Sequence, residues 1–288
     1  MKKVLLASTA LVLSAGVAAA DLSLGGSANF GLAYDDSRTD DELFLKYELD
    51  FGISGATTTD SGLAVGASID LDQQIDSTTG NPTNEDDEGP SDPEVFISGS
   101  FGTLTVGDVD FAVDALGISD AGFDGIGLDD DAEALRDAGG AVANVQYEYV
   151  FGDVSIIVTY HTIEEDFGLV GEYDGGTFSV GLGYQTDEST DENTVTLVGD
   201  VSFGDVTVGG IYSDWSGDAT AYGIDVNYST GPLTVTAVYG VLDIDGVDND
   251  DDFGIGIEYD LGGSVSLGAG LGSVNDATVA DFGINMSF

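Results

Sequence analysis

The chain has 288 residues and contains no cysteine, four prolines, one histidine, one tryptophan and five basic residues. Each scarcity excludes something. Without cysteine the fold gains nothing from disulfides, even if it is exported. The one histidine, His161, falls on the polar row of a strand-like segment with Ser155 and Thr159, and that alternation alone accounts for it. A Ser–His–acid arrangement therefore has no independent support, and the chain is expected not to be an enzyme. Basic residues are outnumbered by 54 acids, with a formal net charge of −49. Such a surface repels the phosphate backbone, which excludes nucleic-acid binding, and it attracts cations. Long helical periods are also missing; the best short candidate is "DAEALRD", residues 131–137.

The first twenty residues stand apart. Lys2 and Lys3 precede an apolar run from Val4 to Val17, and "AGVAAAD" supplies small residues before Asp21. This is the pattern of a secretory signal peptide, residues 1–20, with cleavage expected between Ala20 and Asp21. The run is too short for a membrane-spanning helix. The remaining chain keeps only Arg38, Lys46 and Arg136 as cations.

What is present is regularity of period two. "LFLKYELDFGI" places Leu45, Tyr47, Leu49, Phe51 and Ile53 on one side, and Lys46, Glu48, Asp50 and Gly52 on the other. "LAVGASIDLD" and "DFGIGIEYDL" repeat the pattern, and each reads as a β-strand with one apolar and one polar face. Short Gly/Asp-rich turns such as "SFGDVT" and "YDLGGSVS" alternate with longer acidic stretches, notably 75–92, 112–141 and 243–252. That rhythm describes a meander whose two ends differ. Sixteen strands are expected, near 21–34, 43–54, 62–74, 93–101, 103–111, 142–151, 153–162, 166–174, 177–186, 193–203, 205–213, 219–229, 232–242, 252–261, 264–273 and 278–288.

Two soluble sandwich domains would use such strands, but no linker divides residues 21–288. The inverse solution is a transmembrane, antiparallel, up-and-down β-barrel, all-β, with its apolar row towards lipid and its polar row around water. Three features favour it. Many strands reach ten residues, enough for a tilted crossing. Apolar rows carry tyrosines near their ends (Tyr34, Tyr160, Tyr173, Tyr184, Tyr212, Tyr228, Tyr239, Tyr259), as interfacial girdles require. Charges almost never fall on the apolar rows.

The segments "TTTDSGLAVGAS" (57–68), "VFISGSFGTLTVGD" (95–108), "VLDIDG" (241–246), "YDLGGSVS" (259–266) and "VADFGINMSF" (279–288) resemble the sixteen-stranded general diffusion porins of Gram-negative outer membranes, and look most like the α-proteobacterial, Rhodobacter-type members. The resemblance implies a homotrimer in the outer membrane, in contact with its lipid and lipopolysaccharide. It also implies short periplasmic turns, a third loop folded into the lumen, and a terminal Phe288 read by the barrel-assembly machinery. The third long loop here is 112–141. Its acids, Asp114, Asp120, Asp124, Asp129, Asp130, Asp131, Glu133 and Asp137, are candidates for an eyelet that attracts cations. Such porins oppose the acidic loop with a basic wall. This sequence departs from that pattern: Lys46 matches part of the basic row, Glu48 occupies a neighbouring position, Arg38 lies in the first loop and Arg136 in the constriction loop itself, so Lys46 and Arg38 are the candidates for a weak basic wall at the constriction.

The expected function is passive diffusion of small hydrophilic solutes and ions, with a preference for cations. No cofactor is required. Carboxylate runs, Asp243, Asp245, Asp248, Asp250 and Asp252 above all, hold Ca²⁺ or Mg²⁺ at most loosely, since their spacing matches no EF-hand or β-roll repeat. The alternative is a secreted or surface acidic β-protein that binds Ca²⁺ in a structural or adhesive role. A sugar-specific channel ranks last, because the aromatics take the lipid row and Trp215 reads as a loop residue. The many Gly-x-Gly pairs, such as Gly254/Gly256 and Gly268/Gly270, read as small lumen-facing positions.

Overall fold

The computed structural model describes residues 21–75, 82–83, 91–136, 142–247 and 250–288. The expected signal segment, and the candidates Asp137 and Asp248, lie outside them. Sixteen strands form the wall: β1 (Asp21–Asp35), β2 (Leu43–Thr58), β3 (Ala64–Ile75), β4 (Ser91–Gly99), β5 (Gly102–Val109), β6 (Ala143–Phe151), β7 (Val154–Tyr160), β8 (Phe167–Asp174), β9 (Phe178–Asp187), β10 (Glu192–Phe203), β11 (Val206–Trp215), β12 (Ala219–Thr230), β13 (Leu233–Ile244), β14 (Asp250–Asp260), β15 (Val265–Val274) and β16 (Ala277–Ser287). A two-residue rung, Pro82–Thr83, adds to the end of β3. Each expected strand is present. The largest departure is in β2, which runs on through Thr58.

Every neighbouring pair is antiparallel, and β1 pairs with both β2 and β16, so the sheet closes on itself. Closure follows from the environment. An open edge in hydrocarbon would leave a row of N–H and C=O groups without partners. The seam has the register Phe30↔Ile284 and Leu32↔Phe282 on the outer row, and Asn29↔Asn285 on the inner. Beside it, Gly26 and Phe288 exchange backbone hydrogen bonds, each of 3.0 Å, and the Phe288 ring rests 5.3 Å from Phe51.

The burial pattern is that of a soluble protein turned inside out. Leu24, Leu197, Ile255 and Phe282 are exposed on the outer row, whereas the buried apolar residues are mainly those of the 110–136 segment and the wall it touches. Tyr212 and Tyr222 face each other across β11 and β12, and Tyr228 and Tyr259 lie near the opposite strand ends. These are two aromatic levels, as a membrane with two interfaces requires.

Three sequence-based expectations are corrected by the structure. Trp215 is the last residue of β11, register partner of Thr194 and Ala219, and does not lie in a loop. His161 follows the end of β7, where its Nδ1 accepts the Glu164 N–H at 3.0 Å. The helix covers only Asp130–Glu133 (α1), one turn, with Asp131 and Ala132 buried.

Ile255, in the middle of β14 and 52% exposed on the lipid row, gives a direct test of orientation. Ile255→Arg should cost about 2–4 kcal/mol in a bilayer unfolding titration, whereas the lumen-row Glu258→Lys should cost far less.

Candidate functional site

The segment between β5 and β6 enters the barrel because β5 ends on a bulge. Its ladder with β6 skips from Val106↔Val145 to Val109↔Ala143, and Gly107 has φ +151°. A bulge bends its strand and redirects the chain beyond it. Phe111 is then buried inside, and the Ala112 N–H donates to Thr159 Oγ1 of β7 at 3.0 Å.

From there the loop runs along the inner wall, and glycine makes the track. Val113 and Leu116 lie over Gly183 of β9, Ala121 over Gly256 of β14, Phe123 over Gly268 of β15, and Leu128 over Gly254 and Gly272. A Cβ on Gly256 would meet the Ala121 Cβ at 2.7 Å, and one on Gly183 would meet Leu116 Cδ1 at 2.7 Å. Two apolar clusters result. One is built on Phe111, Val113 and Leu116 with Val170; the other on Ile118, Leu128 and Ala132 with Ile211 and Val238. They are this chain's water-excluded core. The lumen-facing glycines read from the sequence thus form a seat for the loop.

The loop's acids divide by role. Asp120 turns onto its own backbone, accepting N–H groups from Ala121 (2.6 Å), Gly127 (3.0 Å) and Leu128 (3.1 Å). Glu133 accepts the Ile118 N–H at 2.7 Å and pairs with Arg136. Arg136 in turn donates to the Leu116 carbonyl at 3.0 Å and lies 3.5 Å from Asp114. Asp131 is buried in α1, which packs against β11–β14, where it faces Asp252. Asp124 is at the tip. Asp114, Asp124, Asp129 and Asp130 line, with Phe44 and Lys46, a lumen cavity of about 810 Å³.

Burial, reinforced by Asp120 and Glu133, pushes the Asp129 carboxyl up to about 8. Burial also raises Glu133, with Arg136 opposing it.

Of the basic candidates, Lys46 is the one on a strand. Its Nζ is 2.7 Å from Asp124 Oδ2, so it neutralises the loop tip directly. Arg38 sits in the 36–42 connection over the Phe44 ring, 4.2 Å from its centroid. Glu48 and Asp50 continue the β2 row, held by Asn29 (2.8 Å) and Ser27 (2.6 Å). Asp243 is the last residue but one of β13, Asp245 is in the following turn, and Asp250 and Asp252 belong to β14. Asp252 accepts the Asn275 N–H at 3.0 Å. Among the described residues no three carboxylate or histidine side chains converge as a metal would require. Asn29, Asp281 and Asn285 bind the loop tip and were not singled out from sequence. Their signal was there: larger polar residues amid the Gly and Ser of the inner rows, as at Ser27, Asn29, Gly31 and at Gly283, Asn285, Ser287.

A closed sheet, apolar outside and polar within, narrowed by its own loop, defines a transmembrane β-barrel channel. The chain belongs to the Gram-negative porin family, whose family model matches residues 7–278. It is similar to the porin of Rhodobacter capsulatus, 29% identical over 325 residues, covering 93% of this chain and 100% of the relative. The porin of Fuscovulum blasticum is 28% identical over 305 residues, with the same coverage. Among solved structures, mutants of the Rh. blastica porin superpose with TM-scores of 0.80 at 22–23% identity, over 93% of this chain and 100% of theirs. The protein is thus an outer-membrane channel for small solutes.

The glycine track predicts a wedge effect. Gly256→Leu should lift the loop from the wall, lower single-channel conductance, and destabilise the fold by about 1–3 kcal/mol through overpacking.

Proposed function

We propose that this porin passes small hydrophilic solutes with a preference for cations. The observation that carries the reading is the ion pair of Lys46 with Asp124. Lys46 is the only basic residue on the described strands of the barrel, and the other two basic residues outside the signal segment, Arg38 and Arg136, lie in loops. Lys46 is already spent on a loop carboxylate, which leaves no wall cation to offer an anion. The lumen rows of β2 to β8 instead present Glu48, Asp50, Asp70, Glu94, Glu148 and Glu172. A water-filled passage lined by carboxylates concentrates cations and excludes anions. No cofactor enters this reading, and Ca²⁺ or Mg²⁺ would neutralise surface acids only loosely. Family membership and the apolar outer row set aside the soluble Ca²⁺-binding alternative.

The remaining parts of the reading extend from the family. Residues 1–20 are removed after export, the barrels assemble as homotrimers among lipid and lipopolysaccharide, and Phe288 is recognised by the assembly machinery. The position of Phe288 beside the seam, its ring against Phe51, supports a residue presented where strand pairing is completed.

Planar-bilayer recording under a salt gradient tests the selectivity. The reversal potential should have the sign of cation preference at about 0.1 M salt and shrink towards 1 M, where the screening length falls from about 10 to about 3 Å. Strong anion preference, or no ohmic conductance, would refute the proposal.

Asp129 adds a pH dependence. Its carboxyl is neutral below about 8 and charged above, so cation preference should rise as pH passes through 8. Folded stability should change the other way, declining from the ordinary carboxylate range up to about 8 and levelling beyond, because the unfolded chain gives up this proton first. Asp129→Asn should remove both steps.

A further inference from the structure

The tip of the inward loop, 123–125, does not end in open lumen. It lies across three adjacent strands, β16, β1 and β2, and the first two form the pair that closes the barrel. From β16, Asp281 Oδ2 accepts the N–H groups of Phe123 (2.9 Å) and Asp124 (3.3 Å), and the Asn285 amide donates to the Phe123 carbonyl. From β1, Asn29 Nδ2 donates to Asp124 Oδ1 at 2.6 Å. From β2, Lys46 Nζ pairs with Asp124 Oδ2 and reaches the carbonyls of Asp124 (3.3 Å) and Gly125 (3.2 Å). The Phe123 ring fills the space over Gly31 and Gly283, which are register partners across the seam. Asp281 is 6% exposed and Phe123 3%, so these bonds are shielded from competing water.

The seam is the pairing with the largest sequence separation in the sheet. Its loop-closure entropy must be met before the first ladder bond forms. The tip shortens that problem. Asp124 is 95 residues from Asn29 and 157 from Asp281, and it holds both. The rest of the loop rests mainly on apolar contacts with glycine-lined strands, together with single polar ties such as Asn227 to Ser119 (2.9 Å). Only the tip binds both strands of the seam among the loop contacts described.

We propose that Asp281, Asn29 and Lys46 form a lumenal clasp that ties the constriction loop across the seam, so that barrel closure and pore width are set together. Asn29 and Asp281 are positioning residues: they act on permeation through the place they give Asp124. The clasp goes beyond the channel reading, which it needs only for its conductance measurement.

The test combines hydrogen exchange along the seam with single-channel recording, on the full barrel refolded in detergent. Asp281→Ala and Asn29→Ala should speed exchange of the β1–β16 ladder amides about tenfold, the change expected when one or two net hydrogen bonds are lost. The same variants should raise conductance and add open-channel flicker. Glu133→Gln, which loosens the loop away from the tip, should leave seam exchange at its wild-type rate. If Asp281→Ala fails to refold, Lys46→Met removes a contact from β2 alone and is judged by the same two readouts. Altered conductance with unchanged seam exchange, altered exchange with unchanged conductance, no change in either, or equal acceleration by Glu133→Gln would each overturn the clasp. A wild-type barrel that conducts nothing would sink the channel reading instead, and the exchange comparison would still judge the clasp.

Discussion

In hydrocarbon a backbone amide or carbonyl has no water to turn to, and the rest of this structure answers that constraint. It forces the sixteen strands to pair on both edges and therefore brings β1 against β16. It sends the apolar row of each strand outward, where Leu, Ile, Val and Phe meet chains as apolar as themselves. It leaves the polar row to enclose water. A barrel closed in this way has no core of its own between sheets, and that absence gives the loop its importance.

The 110–136 segment supplies what the sheet lacks. Phe111, Val113, Leu116, Ile118, Phe123 and Leu128 exclude water against the wall, where glycines make room for them between apolar residues such as Val170, Ile211 and Val238. The polar atoms of the loop are consumed on the way. Asp120 binds the loop's own amides, Glu133 and Arg136 bind each other, and Asp281 binds the tip. The charges that face the passage are almost all carboxylates.

Much of this was legible in the sequence. Alternation of period two fixes the face of each side chain, so strand positions, the lipid row and the inward glycines come from local pattern. The 3.6-residue signal of "DAEALRD" pointed to α1, although packing against β11–β14 preserves only the turn Asp130–Glu133. The end of β5 was legible only in part. The apolar positions pass from Leu104 and Val106 to Val109 and Phe111, a change of parity at Gly107, and the structure turns that change into a bulge with the ladder ending at Val109. The roles of the loop acids were hidden. Composition cannot separate Asp120, folded onto neighbouring amides, from Asp124, held by residues 78 and 95 positions earlier in the chain. Long-range partners such as Asn29 and Asp281 depend on the path of a loop, and a loop has no period to read.

The glycine track also makes variation one-sided. A glycine can be replaced only by something larger, so every substitution beneath the loop drives the partition inward and constricts the passage. Enlarging the passage requires shortening or resculpting the loop itself. Descendants of this channel would therefore reach tighter sieves by scattered single changes in the wall, and more permissive ones only through rarer deletions or coordinated rebuilding of one segment.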